Sequence, residues 1–204
     1  MAQVEIEKKF VLTETQKTAL LDGSVELGEK SIVDSYLDTD DYQLTLRDYW
    51  FRIRDGEYEL KAPLASGSGS YATTNRYREI TSVEEICDEL KLDYSGDIET
   101  TLSLAGIKSF ITCYTTRQSY EKAGFEIDVD QATYQDSDFT YALAEIELLI
   151  EDESKADEAE ARIIEFAQQF NLTTDQVILG KIAAYLKEEK PEHYQALKVA
   201  KVLK

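Results

Sequence analysis

Proline and glycine are scarce. With 2 and 9 among 204 residues, long flexible linkers between separate units are excluded, and one domain over residues 1–204 is expected. Cysteine is nearly absent too. Cys87 and Cys113 stand far apart with no CxxC spacing, which excludes a disulfide framework and a cysteine-based zinc site. No apolar run approaches the roughly 18 residues of a membrane helix. Met1 to Phe10 is charged and lacks the apolar stretch of a signal peptide, so the expected location is the cytoplasm. In that setting the sequon Asn171-Leu172-Thr173 is a chance match. Histidine occurs once, as His193 beside Pro191 in the C-terminal tail, and reads as a structural or surface residue. No covalent nucleophile is evident.

Positive charge is in the minority. Lys and Arg number 22 against 41 Asp and Glu, a net charge of −19. Such a surface repels polyanions, so neither nucleic acid nor an anionic membrane is an expected partner. A small polyanion is still allowed, because it needs only a local basic site. A monomer is expected. Hydrophobic content of 43% and charged content of 31% fit a globular chain and not a disordered one.

Residues 3–11, 31–37, 47–55, 57–62, 75–81, 112–121, 124–131 and 142–150 read as strands, being short, often alternating and rich in Val, Ile, Tyr, Phe and Thr. Asp55-Gly56 marks a hairpin turn, and Ala123-Gly124 separates another pair. Eight strands with short connections fit an antiparallel sheet able to close into a barrel. Helices fall between and after them. Ser82 caps one to about Leu90, Ser154 one through Phe170, Thr174 opens one to about Lys187, and Pro191 starts the last. The segment Leu64 to Thr74, with Ser66-Gly67-Ser68-Gly69-Ser70, reads as a mobile loop beside two candidate site strands.

The polar faces of these strands carry an ordered set of charges. Glu5, Glu7 and Lys9 share one face, as do Trp50, Arg52 and Arg54. So do Glu59 with Lys61, Arg76 with Arg78, Asp128 with Asp130, and Glu145 with Glu147. For any one pair a solvated face with cross-strand salt bridges explains the pattern. The whole collection is less easily explained that way. If the sheet closes with these faces inside, like charges at 4 Å repel by about 4 kcal/mol at an effective dielectric of 20. A bound polyphosphate and divalent cations would neutralise them. Arginine offers phosphate a planar fork and lysine a point charge. Paired carboxylates suit hard cations, Mg²⁺ or Mn²⁺.

The opening Glu5-Ile6-Glu7-Lys8-Lys9-Phe10 resembles the ExExK signature of the CYTH superfamily, the triphosphate tunnel metalloenzymes. Further matches follow in the family's order. They are Tyr36-Leu37-Asp38-Thr39, Trp50-Phe51-Arg52-Ile53-Arg54, Glu57-Tyr58-Glu59-Leu60-Lys61, Arg117, Phe125-Glu126-Ile127-Asp128-Val129-Asp130 and Ala144-Glu145-Ile146-Glu147. Trp50 before the arginine pair, and the tail from Gly180-Lys181 to Pro191-Glu192-His193-Tyr194, resemble the thiamine triphosphatase branch.

That resemblance implies an α+β fold built on a closed eight-stranded antiparallel tunnel, hydrolysing the terminal phosphoanhydride of thiamine triphosphate. It implies phosphate held by Arg52, Arg54, Lys61, Arg117 and Lys181, with Lys9 at the tunnel floor. Arg76 and Arg78 resemble a further basic strand of tripolyphosphatase-like members and join the substrate ligands. The metal side falls to Glu5, Glu7, Asp128, Asp130, Glu145 and Glu147, and catalysis to Lys9, Arg54 and Glu147. Trp50 would stack on a thiazolium or pyrimidine ring. Inorganic tripolyphosphate hydrolysis, ATP cyclisation of the class IV adenylate cyclase type, and polyphosphate binding without turnover stay open as alternatives.

Overall fold

The computed structural model describes residues 3–64 and 74–203. The Ser-Gly segment at 66–70 lies outside the described residues. The strands are β1 (Gln3–Phe10), β2 (Val25–Asp38), β3 (Trp50–Arg54), β4 (Glu57–Pro63), β5 (Asn75–Ile80), β6 (Lys108–Lys122), β7 (Phe125–Tyr134) and β8 (Ser137–Ile150). The helices are α1 (Glu14–Leu21), α2 (Val83–Leu90), α3 (Ile98–Leu104), α4 (Ala156–Gln168), α5 (Lys181–Glu189) and α6 (Pro191–Val199).

The strands close a barrel in the order β1-β5-β4-β3-β2-β6-β7-β8, with β1 pairing antiparallel to both β5 and β8. Closure removes the exposed edges that an open sheet would present. Tight turns set the registers. Asp55 and Gly56 both adopt positive φ, 50° and 97°, the mirror-image turn whose twist matches a hairpin. Residue alternation then divides each strand between a wall facing helices and a wall facing the tunnel.

The outer wall is apolar where helices cover it. Ile6, Ile127 and Ile146 are buried in one cluster with Ile163 and Phe166 of α4. Phe51, Leu60 and Ile80 are buried in another with Ile86 and Leu90 of α2 and Leu102 of α3. Each such side chain contributes roughly 1.5–3 kcal/mol. These two clusters fix which face of β1, β3, β4, β7 and β8 is left to point inward. A third cluster closes one end of the tunnel: Tyr36, Trp50, Tyr77 and Tyr134 pack with Ile182, Tyr185 and Leu186 of α5 and Leu197 of α6.

Several boundaries differ from those expected. The helix expected from Thr174 begins only at Lys181, because the chain must first cross the tunnel end, where Tyr141 Oη donates to the Leu179 carbonyl at 2.9 Å. Ser154 does not cap α4. Instead Asp152 accepts from the Ser154 N–H and caps a short 3-10 turn, Glu153–Lys155, that leads into it. The stretch 131–140 is mostly strand, with β7 and β8 running up to Gln135-Asp136. β2 and β6 pair far beyond the expected ends, from Val25↔Glu121 to Asp38↔Lys108. β3 starts at Trp50 because Thr45–Arg47 forms a 3-10 turn. Two short helices were not anticipated. α1 has a legible signal, the Thr13/Gln16 capping box, and α3 is capped by Asp97.

Among the described residues no helix is long and apolar enough to cross a membrane.

Candidate active site

Alternation places most of the charged faces inside the barrel. They line a cavity of ≈ 200 Å³ bounded by Glu5, Glu7, Lys9, Arg52, Arg54, Lys61, Arg117, Glu145, Glu147 and Lys181, with Tyr36, Trp50 and Tyr77 as an aromatic wall. The burial that this requires is unusual: Arg52, Glu5, Glu7, Glu145 and Lys181 are all buried. A buried charge is tolerated only when paired, and each of these is.

The basic groups are held by carboxylates. Arg54 forms a two-pronged contact with Asp34, Nε to Oδ1 at 2.7 Å and a terminal nitrogen to Oδ2 at 2.9 Å. Arg52 pairs with Glu59 and reaches Tyr36 Oη at 3.2 Å. Arg117 grips both oxygens of Asp130 at 2.7 Å, contacts Glu145 at 2.7 Å, and also pairs with Asp128. Lys181 pairs with Asp130, and Tyr134 Oη fixes its backbone by donating to the Lys181 carbonyl at 2.7 Å. Lys61 pairs with Glu5 and lies 3.4 Å from Glu79 and 3.7 Å from Glu7. Lys9 pairs with Glu7, donates to Asn75 Oδ1 at 2.9 Å, and lies 3.5 Å from Glu145.

Burial opposes the charge on Lys61, but Glu5, Glu7 and Glu79 outweigh it and hold the ammonium well above its usual range. The same competition works on Glu145, where Lys181, Lys9 and Arg117 overcome burial and keep the carboxyl well below the usual carboxylate range. Glu147 is the opposite case. Burial, reinforced by Glu5, Asp128 and Glu7, pushes its carboxyl up to about 10 against the pull of Lys61.

Oxygens of Glu5, Glu7 and Glu147 lie within 4.8 Å of one another, as do those of Glu126, Asp128 and Glu147. An all-carboxylate set of this spacing suits a hard divalent cation. Glu147 is shared between the two groups and forms no ion pair among the described residues. A cation there would supply a counter-charge.

The structure separates the expected metal ligands. Asp130 and Glu145 are committed to Arg117, Lys181 and Lys9 and stand outside both carboxylate groups. Arg76 and Arg78 do not line the cavity. They sit at alternate positions to Asn75, Tyr77 and Glu79, so they point outward, Arg76 to Asp157 and Glu160 and Arg78 to Glu89. Across the β3–β4 hairpin, register pairs Arg54 with Glu57 and Lys61 with Trp50.

Other residues enter. Glu126 on β7 extends the Asp128/Asp130 alternation by one step. Asn75, Tyr77 and Glu79 occupy the face of β5 opposite Arg76 and Arg78, and Asp34 and Tyr36 alternate on β2, where no charged pair stood out in the sequence. Asp38 and His193 are structural. Asp38 accepts from the Leu44 and Thr45 N–H groups at 2.8 and 2.9 Å. His193 is buried, stacked on Tyr42 with ring centres 3.7 Å apart, and hydrogen-bonded to Thr45 Oγ1 at 2.8 Å.

Residues 3–179 match the CYTH domain family. The chain is 29% identical to the thiamine-triphosphatase of Homo sapiens over 217 residues, covering 97% of this chain and 91% of that protein. Among solved structures it is similar to a protein of Pyrococcus horikoshii, with a TM-score of 0.61 at 17% identity, covering 91% of this chain and 99% of the other. It is also similar to a Hippeastrum protein reported to have a dominant triphosphatase activity, with a TM-score of 0.58 at 12% identity over 91% and 95% of the two chains. Likeness at such identities concerns the fold alone.

Proposed function

This chain belongs to the CYTH domain family, and on that premise we propose that it hydrolyses the terminal phosphoanhydride of thiamine triphosphate, using Mg²⁺ or Mn²⁺, to thiamine diphosphate and phosphate. One observation carries the reading. Six basic side chains (Lys9, Arg52, Arg54, Lys61, Arg117 and Lys181) line the same cavity as the buried carboxylate group Glu5, Glu7 and Glu147. A linear triphosphate with a divalent cation needs both charges in one place.

Phosphoryl transfer asks for positioning and charge neutralisation more than for covalent chemistry. Asp34 and Asp130 orient Arg54 and Arg117 before substrate arrives, so less freedom is lost on binding. The arginine N–H groups that these carboxylates leave open take phosphate oxygens, and Lys9, Lys61 and Lys181 add point charges along the chain. Glu5, Glu7 and Glu147 would hold the cation, which would add charge neutralisation and make a bound water more acidic. In the hydrolysis a water oxygen bonds to the terminal phosphorus as the bridging P–O bond breaks, the diphosphate leaves with the bridging oxygen, and the water's proton passes to solvent or to the product oxygens. Trp50, buried beside Arg52, offers a face to the organic end.

The test is phosphate release from thiamine triphosphate, inorganic tripolyphosphate and ATP, each with Mg²⁺ and with Mn²⁺. Thiamine triphosphate should be preferred. A wide preference for tripolyphosphate refutes the organic substrate, cyclic AMP formation from ATP points to a cyclase, and tight binding without release makes the chain a binding module.

A further inference from the structure

A carboxylate stands behind the aromatic wall of the tunnel. Asp48 Oδ1 accepts from Trp50 Nε1 at 2.8 Å and from Tyr77 Oη at 3.0 Å. The two donors sit on β3 and β5, which are not neighbours, since β4 runs between them. One oxygen therefore sets two rings relative to each other across an intervening strand. Asp48 is buried but does not line the cavity, whereas both rings do.

Its position is itself fixed. Asp48 follows the 3-10 turn Thr45–Arg47 with φ 64° and ψ 24°, a left-handed conformation that Asp, Asn and Gly accept more readily than other residues. The turn is tied to Asp38, which also accepts from Thr45 Oγ1 at 2.7 Å. Thr45 Oγ1 in turn meets His193 Nε2 of α6 at 2.8 Å. The carboxylate thus stands on a hydrogen-bonded base reaching the C-terminal helix.

We propose that Asp48 is a positioning residue for substrate specificity: by holding the Trp50 and Tyr77 rings, it lets the site favour a triphosphate bearing a cationic aromatic head over a bare inorganic chain. The proposal rests on the reading that the tunnel takes an organic triphosphate against Trp50. The physical reason is geometric and electronic. A ring free to turn loses the face-on approach that a cation needs, and a carboxylate accepting from the indole N–H raises the electron density of the ring that the cation meets. Asp48 acts through the rings and touches no phosphate in this scheme.

Asp48→Gly deletes the carboxylate while keeping the left-handed backbone, and Asp48→Asn keeps an acceptor oxygen at the same place. Trp50 is the only tryptophan in the chain, so its emission reports this site alone. In Asp48→Gly the ratio of kcat/KM for thiamine triphosphate over tripolyphosphate should fall about 10-fold, chiefly through KM, the size of a lost cation–π alignment. Its tripolyphosphate hydrolysis should stay within about threefold of wild type, and its Trp50 emission should shift to the red with stronger acrylamide quenching. Asp48→Asn should restore most of the ratio. An unchanged ratio in Asp48→Gly, or equal loss on both substrates in a variant that melts like wild type, overturns the proposal. If Asp48→Gly does not fold, Tyr77→Phe carries the test, because it deletes one donor and keeps the ring. A wild-type ratio there overturns the proposal as well. A wild-type protein that prefers tripolyphosphate refutes the substrate reading instead. The fluorescence comparison then still judges Asp48: a shift sustains its hold on Trp50, and an unchanged spectrum ends it.

Discussion

Replacing Glu147 by Gln tests whether the buried carboxylates hold a cation. With its carboxyl pushed up to about 10 by burial and by Glu5, Glu147 keeps its proton at pH 7 when no cation is bound. Removing that proton at pH 7 costs free energy that an arriving divalent cation must offset. The linkage has a definite sign. An unfolded glutamate ionises near pH 4.3, so between there and about 10 the unfolded chain has lost a proton that the folded chain retains. Cation-free stability therefore falls as pH rises through that window, by about 1.4 kcal/mol per unit for a single group. Gln imitates the neutral carboxyl in shape and never ionises. The cation-free variant should melt at or above the wild-type temperature at pH 8, yet turnover should drop at least about 100-fold, as for a lost electrostatic element of a site. Calorimetric titration with Mn²⁺ in two buffers of different ionisation enthalpy counts protons. Wild type should release close to one per cation at pH 7, and the variant none. Full activity in Glu147→Gln, undiminished wild-type activity in excess chelator, or binding without proton release would each refute the reasoning.

Arg54→Ala should lower both affinity and rate, and should also cost about 3 kcal/mol, because Asp34 is left buried without its two-pronged partner. A lowered melting temperature with normal kinetics would reduce Arg54 to a structural role. Arg76→Ala should leave kinetics within about twofold of wild type and cost about 1 kcal/mol, since its partners Asp157 and Glu160 lie outside the tunnel. A 10-fold kinetic loss would contradict that placement. Burial lowers the His193 imidazole to about 4, with Asp38 only partly opposing it. An unfolded histidine protonates near 6.5, so stability should fall as pH drops from 6.5 towards 4, by about 3 kcal/mol in all. Urea midpoints across that range check it, and a flat wild-type profile would refute it.

Local pattern was enough to find most strands and one of their two faces, because alternation at period two survives in any register. It therefore placed Glu5, Glu7 and Lys9 together, and Trp50 with Arg52 and Arg54, before any fold was known. The Asp55-Gly56 hairpin was legible for the same reason, since a two-residue turn is chemistry within the turn itself. What the pattern left undetermined was which face turns inward. The alternating pairs Arg76/Arg78 and Arg52/Arg54 look alike in sequence, yet one faces helices and the other the tunnel. The choice was made by apolar neighbours, with Tyr77 on the tunnel side of β5 and Ile80 under α2 and α3. Pairing across strands was equally out of reach. That Asp130 and Glu145 serve Arg117 while Glu5, Glu7 and Glu147 converge depends on registers set by barrel closure between segments far apart in sequence. The sequence alone determined which side chains alternate and what chemistry they bring. Only the closed barrel decided which of them meet, because a carboxylate becomes an ion-pair partner or a metal ligand according to what lies within a few ångströms on the neighbouring strand.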